Sequence, residues 1–222
     1  MKKMFILCLV TFSLLGLQAE TGIKVGLSGS GFGTYEGSYM TYLGFEGNPF
    51  YLTSTSLLRP TVGLFKSFEL RRGVAIQAEM HYIVKGMCYY REGPEVIERT
   101  WEISYLEIPL FFKYTFGKGR IQPGFLAGPY AAIRLNGRLK RIDGGSEETV
   151  NLNNVKTLDL GVSIGLFSHF RIGGRRFSIE ARADFGLSNA MNPLEGCILT
   201  SDQAGDGRII NQAVSFLIAY TF

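Results

Sequence analysis

The segment from Ser104 to Phe116, SYLEIPLFFKYTF, separates into two unlike faces when every second residue is taken. Leu106, Ile108, Leu110, Phe112, Tyr114 and Phe116 form one face; Tyr105, Glu107, Pro109, Phe111, Lys113 and Thr115 form the other. Period-two alternation of this kind marks a β-strand with dissimilar sides. One such strand would suit a soluble sheet lying over a core. Here eight segments carry a comparable apolar face. All eight are satisfied together if the strands close into a barrel whose apolar sides meet lipid and whose polar sides line the lumen.

The other seven segments run from Gly22 to Gly31, Ser56 to Phe68, Val74 to Gly86, Ile121 to Ile133, Leu158 to Phe170, Phe177 to Leu187, and about Ile210 to Phe222. Their connections alternate long and short, beginning with a long one. Outer-membrane barrels with an even strand number show this alternation, with long loops outside and tight turns, together with both termini, on the periplasmic side. Cys88 to Thr100 and Asn136 to Lys156 are read as two of the long loops, which places the basic residues Arg134, Arg138, Lys140 and Arg141 at the start of a loop on the outer rim. There they could meet lipopolysaccharide phosphates or simply water. The segments descending to the other rim end on Phe68, Tyr114 with Phe116, Phe170, and Tyr220 with Phe222, an aromatic girdle. Lys66 falls on an apolar face, where its stem can snorkel along the wall. Pro109, Pro123 and Pro129 sit inside paired segments, each removing one N–H, so a bulge or a lumenal water is expected beside them.

The opening MKKMFILCLVTFSLLGLQA has two lysines, an apolar run and a small final residue, the pattern of a secretory signal peptide over residues 1–19, leaving 20–222 as one barrel domain. The run is shorter than the ~20 residues of a transmembrane helix, and Cys8 is not placed for lipidation. Loss of Lys2 and Lys3 takes the formal charge from +4 to +2. That balance, with export, argues against a nucleic-acid partner. Cys88 and Cys197 remain, two thiols that can pair in an oxidising compartment.

An eight-stranded barrel is just wide enough for its inward side chains to fill it. The inward set offers Lys24, Lys85, Lys113 and Arg182 against Glu79, Glu107, Asp159, Glu180 and Asp184, with His81 and His169 on the same side. Nearly balanced signs suit a paired polar core better than a conduit lined by one charge. Inward Gly124, Gly128, Gly161, Gly165 and Gly186 would make room for Tyr105, Phe111, Tyr130 and Phe167. A narrow porin-like channel for small solutes is the first alternative. A lipid A-modifying enzyme is the second, and it would need Glu79, His81 and a serine from another strand to assemble. Ser168 and His169 are adjacent, point to opposite faces and cannot form a dyad. A soluble lipocalin-like barrel would require the faces to be inverted. No ligand spacing supports a metal or cofactor, and GSGFG at residues 29–33 lacks the helix of a phosphate loop.

The segments GIKVGLSGS, VGLFKSFEL with GVAIQAEMHYIVKG, YLEIPLFFKY, FLAGPYAAI and FSIEARADFGLSN resemble, in order, the PorT-type outer-membrane β-barrel family, most specifically at Tyr105 to Leu110. The resemblance implies an exported eight-stranded antiparallel up-and-down transmembrane β-barrel in the outer membrane of a Gram-negative-type bacterium. It also implies an association with protein secretion and surface attachment, and together with the filled lumen this gives the expectation of a non-enzymatic barrel that works through its external loops, in surface binding or as an accessory of protein secretion. Phe216, Ile218, Tyr220 and the terminal Phe222 resemble the signal read by the barrel-assembly machinery, a partner during insertion.

Overall fold

In the computed structural model the described residues are 19–34, 52–91, 97–117, 119–143, 145–152, 155–190 and 209–222. The expected signal segment apart from Ala19, most of the first and last long loops, and Cys197 lie outside them. Nine strands are formed: β1 (Ala19–Thr34), β2 (Leu52–Arg71), β3 (Val74–Arg91), β4 (Ile97–Thr115), β5 (Ile121–Asp143), β6 (Ser146–Asn151), β7 (Leu158–Ile172), β8 (Arg175–Gly186) and β9 (Ile209–Thr221). Eight of them close an antiparallel barrel, each neighbour in sequence pairing with the next and β9 returning to β1 through pairs such as Val25↔Ile218. The ninth, β6, pairs with β5 alone, through residues 138–143.

Closure follows from the pattern. Every edge of the wall is paired, so no backbone group of the eight strands must be left unbonded in hydrocarbon. Large side chains lie exposed on the outer wall: Leu166 is 69% exposed, Phe216 66% and Ile218 57%. Their in-line neighbours Phe167, Leu217 and Ala219 are buried. An aromatic girdle encircles the turn end, where Tyr114, Phe116 and Phe125 cluster and where Phe170, Phe177, Tyr220 and Phe222 form a chain of ring contacts 5.2–6.1 Å apart. The Lys66 stem lies along this wall, with its ammonium 5.5 Å from the Phe68 ring.

The prolines are absorbed more simply than expected. The β3–β4 ladder runs in one register from Val74↔Tyr114 to Arg91↔Ile97 but omits the two pairs that Pro109 and Ile108 would make, and the β4–β5 ladder omits those of Pro129 and Gly128. Pairing lapses without a bulge, and Pro123 sits at a strand start with its carbonyl accepting from Phe116 N–H at 2.7 Å.

The loop end differs most from expectation. β3 and β4 continue to Arg91 and Ile97, so the stretch read as the Cys88–Thr100 loop is mostly paired strand, and Cys88 lies on β3 opposite Thr100. The stretch read as the Asn136–Lys156 loop is likewise the outer part of β5 with β6 folded back on it. A bulge explains why the alternation failed to show this. Tyr105 faces Arg134 while Ser104 faces Asn136, leaving Leu135 as the extra residue. One extra residue exchanges the two faces of everything beyond it. Below the bulge the outward residues of β5 are odd-numbered and apolar, ending at Leu135; above it Arg138 and Lys140 are exposed while Leu139 is buried.

Candidate functional site: the lumen and its outer cap

The lumen holds every charged residue expected there. Lys24, Glu79, Lys85, Glu107, Lys113, Asp159, Glu180, Arg182 and Asp184 are all 6% exposed or less, and His81 is buried with them. Nine ionisable groups this deep require partners, since a lone buried charge costs several kcal/mol.

They form two groups. Toward the turn end, Lys24 Nζ lies 2.6 Å from Glu79 Oε1 and 2.6 Å from Glu180 Oε2, joining β1 to β3 and β8 across the lumen. Arg182 donates to Glu79 Oε2 at 2.7 Å and to Glu180. Glu79 Oε2 also meets His81 Nε2 at 2.6 Å, while Gln77 donates to Oε1 of the same carboxylate and accepts from Lys113 Nζ at 2.8 Å. Glu79 is therefore the hub: one carboxylate receives Lys24, Arg182, Gln77 and His81. Rings seat the cations, with Arg182 Cζ 4.5 Å from the Phe111 centroid and Lys113 Nζ 4.3 Å from that of Phe167.

Toward the loop end, Lys85 Nζ stands 2.6 Å from Glu107 Oε2, 3.5 Å from Asp159 Oδ2 and 4.2 Å from the Tyr130 ring centroid. Asp159 accepts from Asn211 Nδ2 at 2.9 Å, Ser188 Oγ at 3.0 Å and Tyr130 Oη at 3.4 Å, and Asn211 Nδ2 also reaches Tyr105 Oη at 3.2 Å. Asp184, two residues from Arg182 on the same face of β8, accepts from Ser163 Oγ.

Room for the rings comes from glycine. A Cβ on Gly161 would lie 2.4 Å from the Tyr130 ring, and one on Gly124 would lie 2.4 Å from the Phe167 ring. Phe111, Leu126 and Phe167 form an apolar layer within the lumen. Above the Lys85 group a second layer, including Trp101, Ile103, Tyr105, Leu139 and Val155, closes the outer end. Of these, Leu139 and Val155 come from the stretch that was read as the Asn136–Lys156 loop.

His169 is a correction: it stands apart from the network. Its ring centroid lies 4.6 Å from that of Phe167, the two rings tilted by 54°, and its Nδ1 makes no hydrogen bond. Gln77, Ser163 and Asn211 are network members that a search for charges passed over. All three occupy inward positions of their strands, so face rather than charge was the signal. The four basic residues of the rim also divide. Arg138 and Lys140 are exposed on the outer face. Arg134 donates to Leu152 O at 3.1 Å, and Arg141 Nε is buried. Cys88 Sγ lies 3.3 Å from Thr100 Oγ1, and its proposed pairing with Cys197 falls outside the described residues.

A family model described as outer membrane protein beta-barrel domain matches residues 17–192. The chain belongs to that family. Membership, with the lipid-facing wall, places this barrel in the bacterial outer membrane. No curated protein matches the sequence. Solved structures similar to it include Ail, the attachment invasion locus protein of Yersinia pestis, at 12% identity, covering 93% of this chain and 100% of that one with a TM-score of 0.42. Neisserial surface protein A matches at 8% identity over 92% and 99% with a TM-score of 0.45, and the outer membrane enzyme PagL at 17% over 89% and 97% with 0.43.

Proposed function

We propose that this barrel is a non-enzymatic, non-conducting anchor whose working part is the β-extension at its outer end. The observation that carries the reading is the continuation of β3, β4 and β5, with β6, beyond the apolar band on a packed core of Trp101, Ile103, Leu139 and Val155. A chain that served only to span the membrane would gain nothing from this second core. The lumen beneath supports the same reading, because its cations and carboxylates are bonded to one another across the barrel. His81 is likewise engaged by Glu79.

The partner is a macromolecule at the cell surface. Arg138 and Lys140, exposed on the outer face just above the apolar band, suit lipopolysaccharide phosphates. The PorT-type resemblance extends the reading to an accessory of protein secretion, and the outward Phe216, Ile218, Tyr220 and Phe222 suit engagement by the assembly machinery during insertion. The test pairs two measurements on purified, refolded barrel. Planar bilayers should show no steady conductance, and immobilised lipopolysaccharide should retain the wild type several-fold more strongly than R138Q/K140Q. Stepwise conductance would replace the anchor with a channel. Equal retention would remove the lipopolysaccharide contact.

A further inference from the structure

The turn end of the barrel is strongly and locally cationic. Arg71 and Arg72 lie at the β2–β3 turn, Arg120 at the β4–β5 turn, and Arg171, Arg175 and Arg176 around the β7–β8 turn; all are exposed except Arg176, which pairs with Glu20. On the side formed by β5, β7, β8 and β9 these strands bring no carboxylate to the rim, and Glu20 of neighbouring β1 engages Arg176. The chain has no Asp or Glu from Ile108 to Ile142, from Leu160 to Ile179, or from Gly207 to Phe222. Arginine is the residue suited to phosphate, which its planar fork meets with two hydrogen bonds.

Those same four strands carry the second feature. Their outer wall has a shallow, open apolar hollow. It exists because small side chains stand where the wall is otherwise bulky. Ala127 and Ala183 flank Ile164, and Ala181 faces Leu166, between the larger Phe125 and Val214. Ala181 and Arg175 are six residues apart on β8. That is about 20 Å along a strand, or roughly 15 Å along the membrane normal at a tilt near 40°. Half of a ~30 Å hydrocarbon core is the same length. The hollow therefore lies near the midplane and the arginines at the periplasmic headgroups, with the stacked Phe170 and Phe177 rings between them.

We infer that this face is a docking site for one anionic phospholipid of the periplasmic leaflet, its phosphate held by Arg120, Arg171 and Arg175 and one acyl chain seated in the hollow. The site is on the opposite rim from the proposed surface contact and does not depend on it. Neither feature is sufficient by itself. The arginines alone would hold any anion, and the hollow alone would hold any hydrocarbon. Their separation by one leaflet's thickness selects a molecule that has both.

The experiment is native mass spectrometry of the refolded full chain released from detergent micelles containing equal phosphatidylglycerol and phosphatidylethanolamine. The wild type should retain phosphatidylglycerol preferentially. R120Q/R171Q/R175Q should weaken that retention by about fivefold for each arginine removed, and Ala181→Phe should abolish it with every arginine in place. Unboiled gel mobility verifies that each variant is folded. Glycerol phosphate, which has the headgroup charge without the chains, should not compete at equal concentration. Equal retention of the two lipids, an unaffected triple variant, or displacement by glycerol phosphate would each overturn the inference. So would a dimer of this chain that Ala181→Phe disrupts while lipid retention persists.

Discussion

At the scale of single residues, Glu79 and Lys24 show how a polar interior becomes an asset in an outward-apolar protein. Glu79 receives Lys24, Arg182, Gln77 and His81, and Lys24 ties two carboxylates from opposite sides of the lumen. Removing one partner of such a set leaves the others buried and uncompensated. Lys24→Ala should lower the unfolding free energy by about 3–5 kcal/mol, read from the urea midpoint of the folded-to-unfolded gel shift. Lys24→Arg should recover part of it. His169→Ala should change the same midpoint by less than about 1 kcal/mol, because a partly exposed ring outside the network has little to lose. A fall comparable to that of Lys24→Ala would return His169 to the network. Gly128 is a steric case: a Cβ there would lie 1.9 Å from the Leu110 carbonyl oxygen. Gly128→Ala should fail to refold to the fast-migrating form in yields that Gly29→Ala, where a Cβ would meet nothing closer than the Val214 carbonyl oxygen at 4.0 Å, would reach.

At the scale of elements, the outer halves of β3, β4 and β5 are the instructive part. On β5 the alternation is present, but its phase changes at Leu135, and a reading in constant phase sees charged residues where apolar ones are due and stops, whereas β3 and β4 keep one register to their outer ends. Deleting Leu135 should remove the bulge and leave Leu139 inward opposite Trp101, so limited proteolysis should leave the outer part of β4 and β5 as protected as in the wild type. Rapid cutting there would mean that the extension needs the bulge itself. Trp101→Ala offers a milder test of the same unit, with a cost of about 3–5 kcal/mol expected to fall on the extension.

At the scale of the whole molecule, the chain is organised as a stack: a cationic rim, an aromatic girdle, a lipid-facing wall around a bonded lumen, and an outer β-extension on its own core. Unfolding should therefore occur in two stages, with proteolysis of the extension preceding loss of the heat-modifiable form. Coincident loss of both would show one cooperative unit.

Much of this order was legible from period-two alternation alone. The faces of the eight wall strands below the outer extension, the girdle positions and the inward placement of the nine charged lumenal residues follow from it, because a strand's sides alternate without exception while its phase is constant. Alternation says nothing about distance across the barrel. That Lys24 reaches both Glu79 and Glu180, that Asp159 collects Asn211, Ser188 and Tyr130, and that His169 stands apart were decided by closure, which brings residues 29 to 156 positions apart into contact. The outer extension was hidden for a related reason: one added residue at the β4–β5 bulge reverses the faces, and only the paired strand shows where it is. Wherever the phase is constant, the sequence by itself thus determined which side of the wall each side chain takes, since that depends on local backbone geometry. The tertiary structure decided which side chains meet, because strand register and barrel closure are properties of pairs of strands rather than of any one.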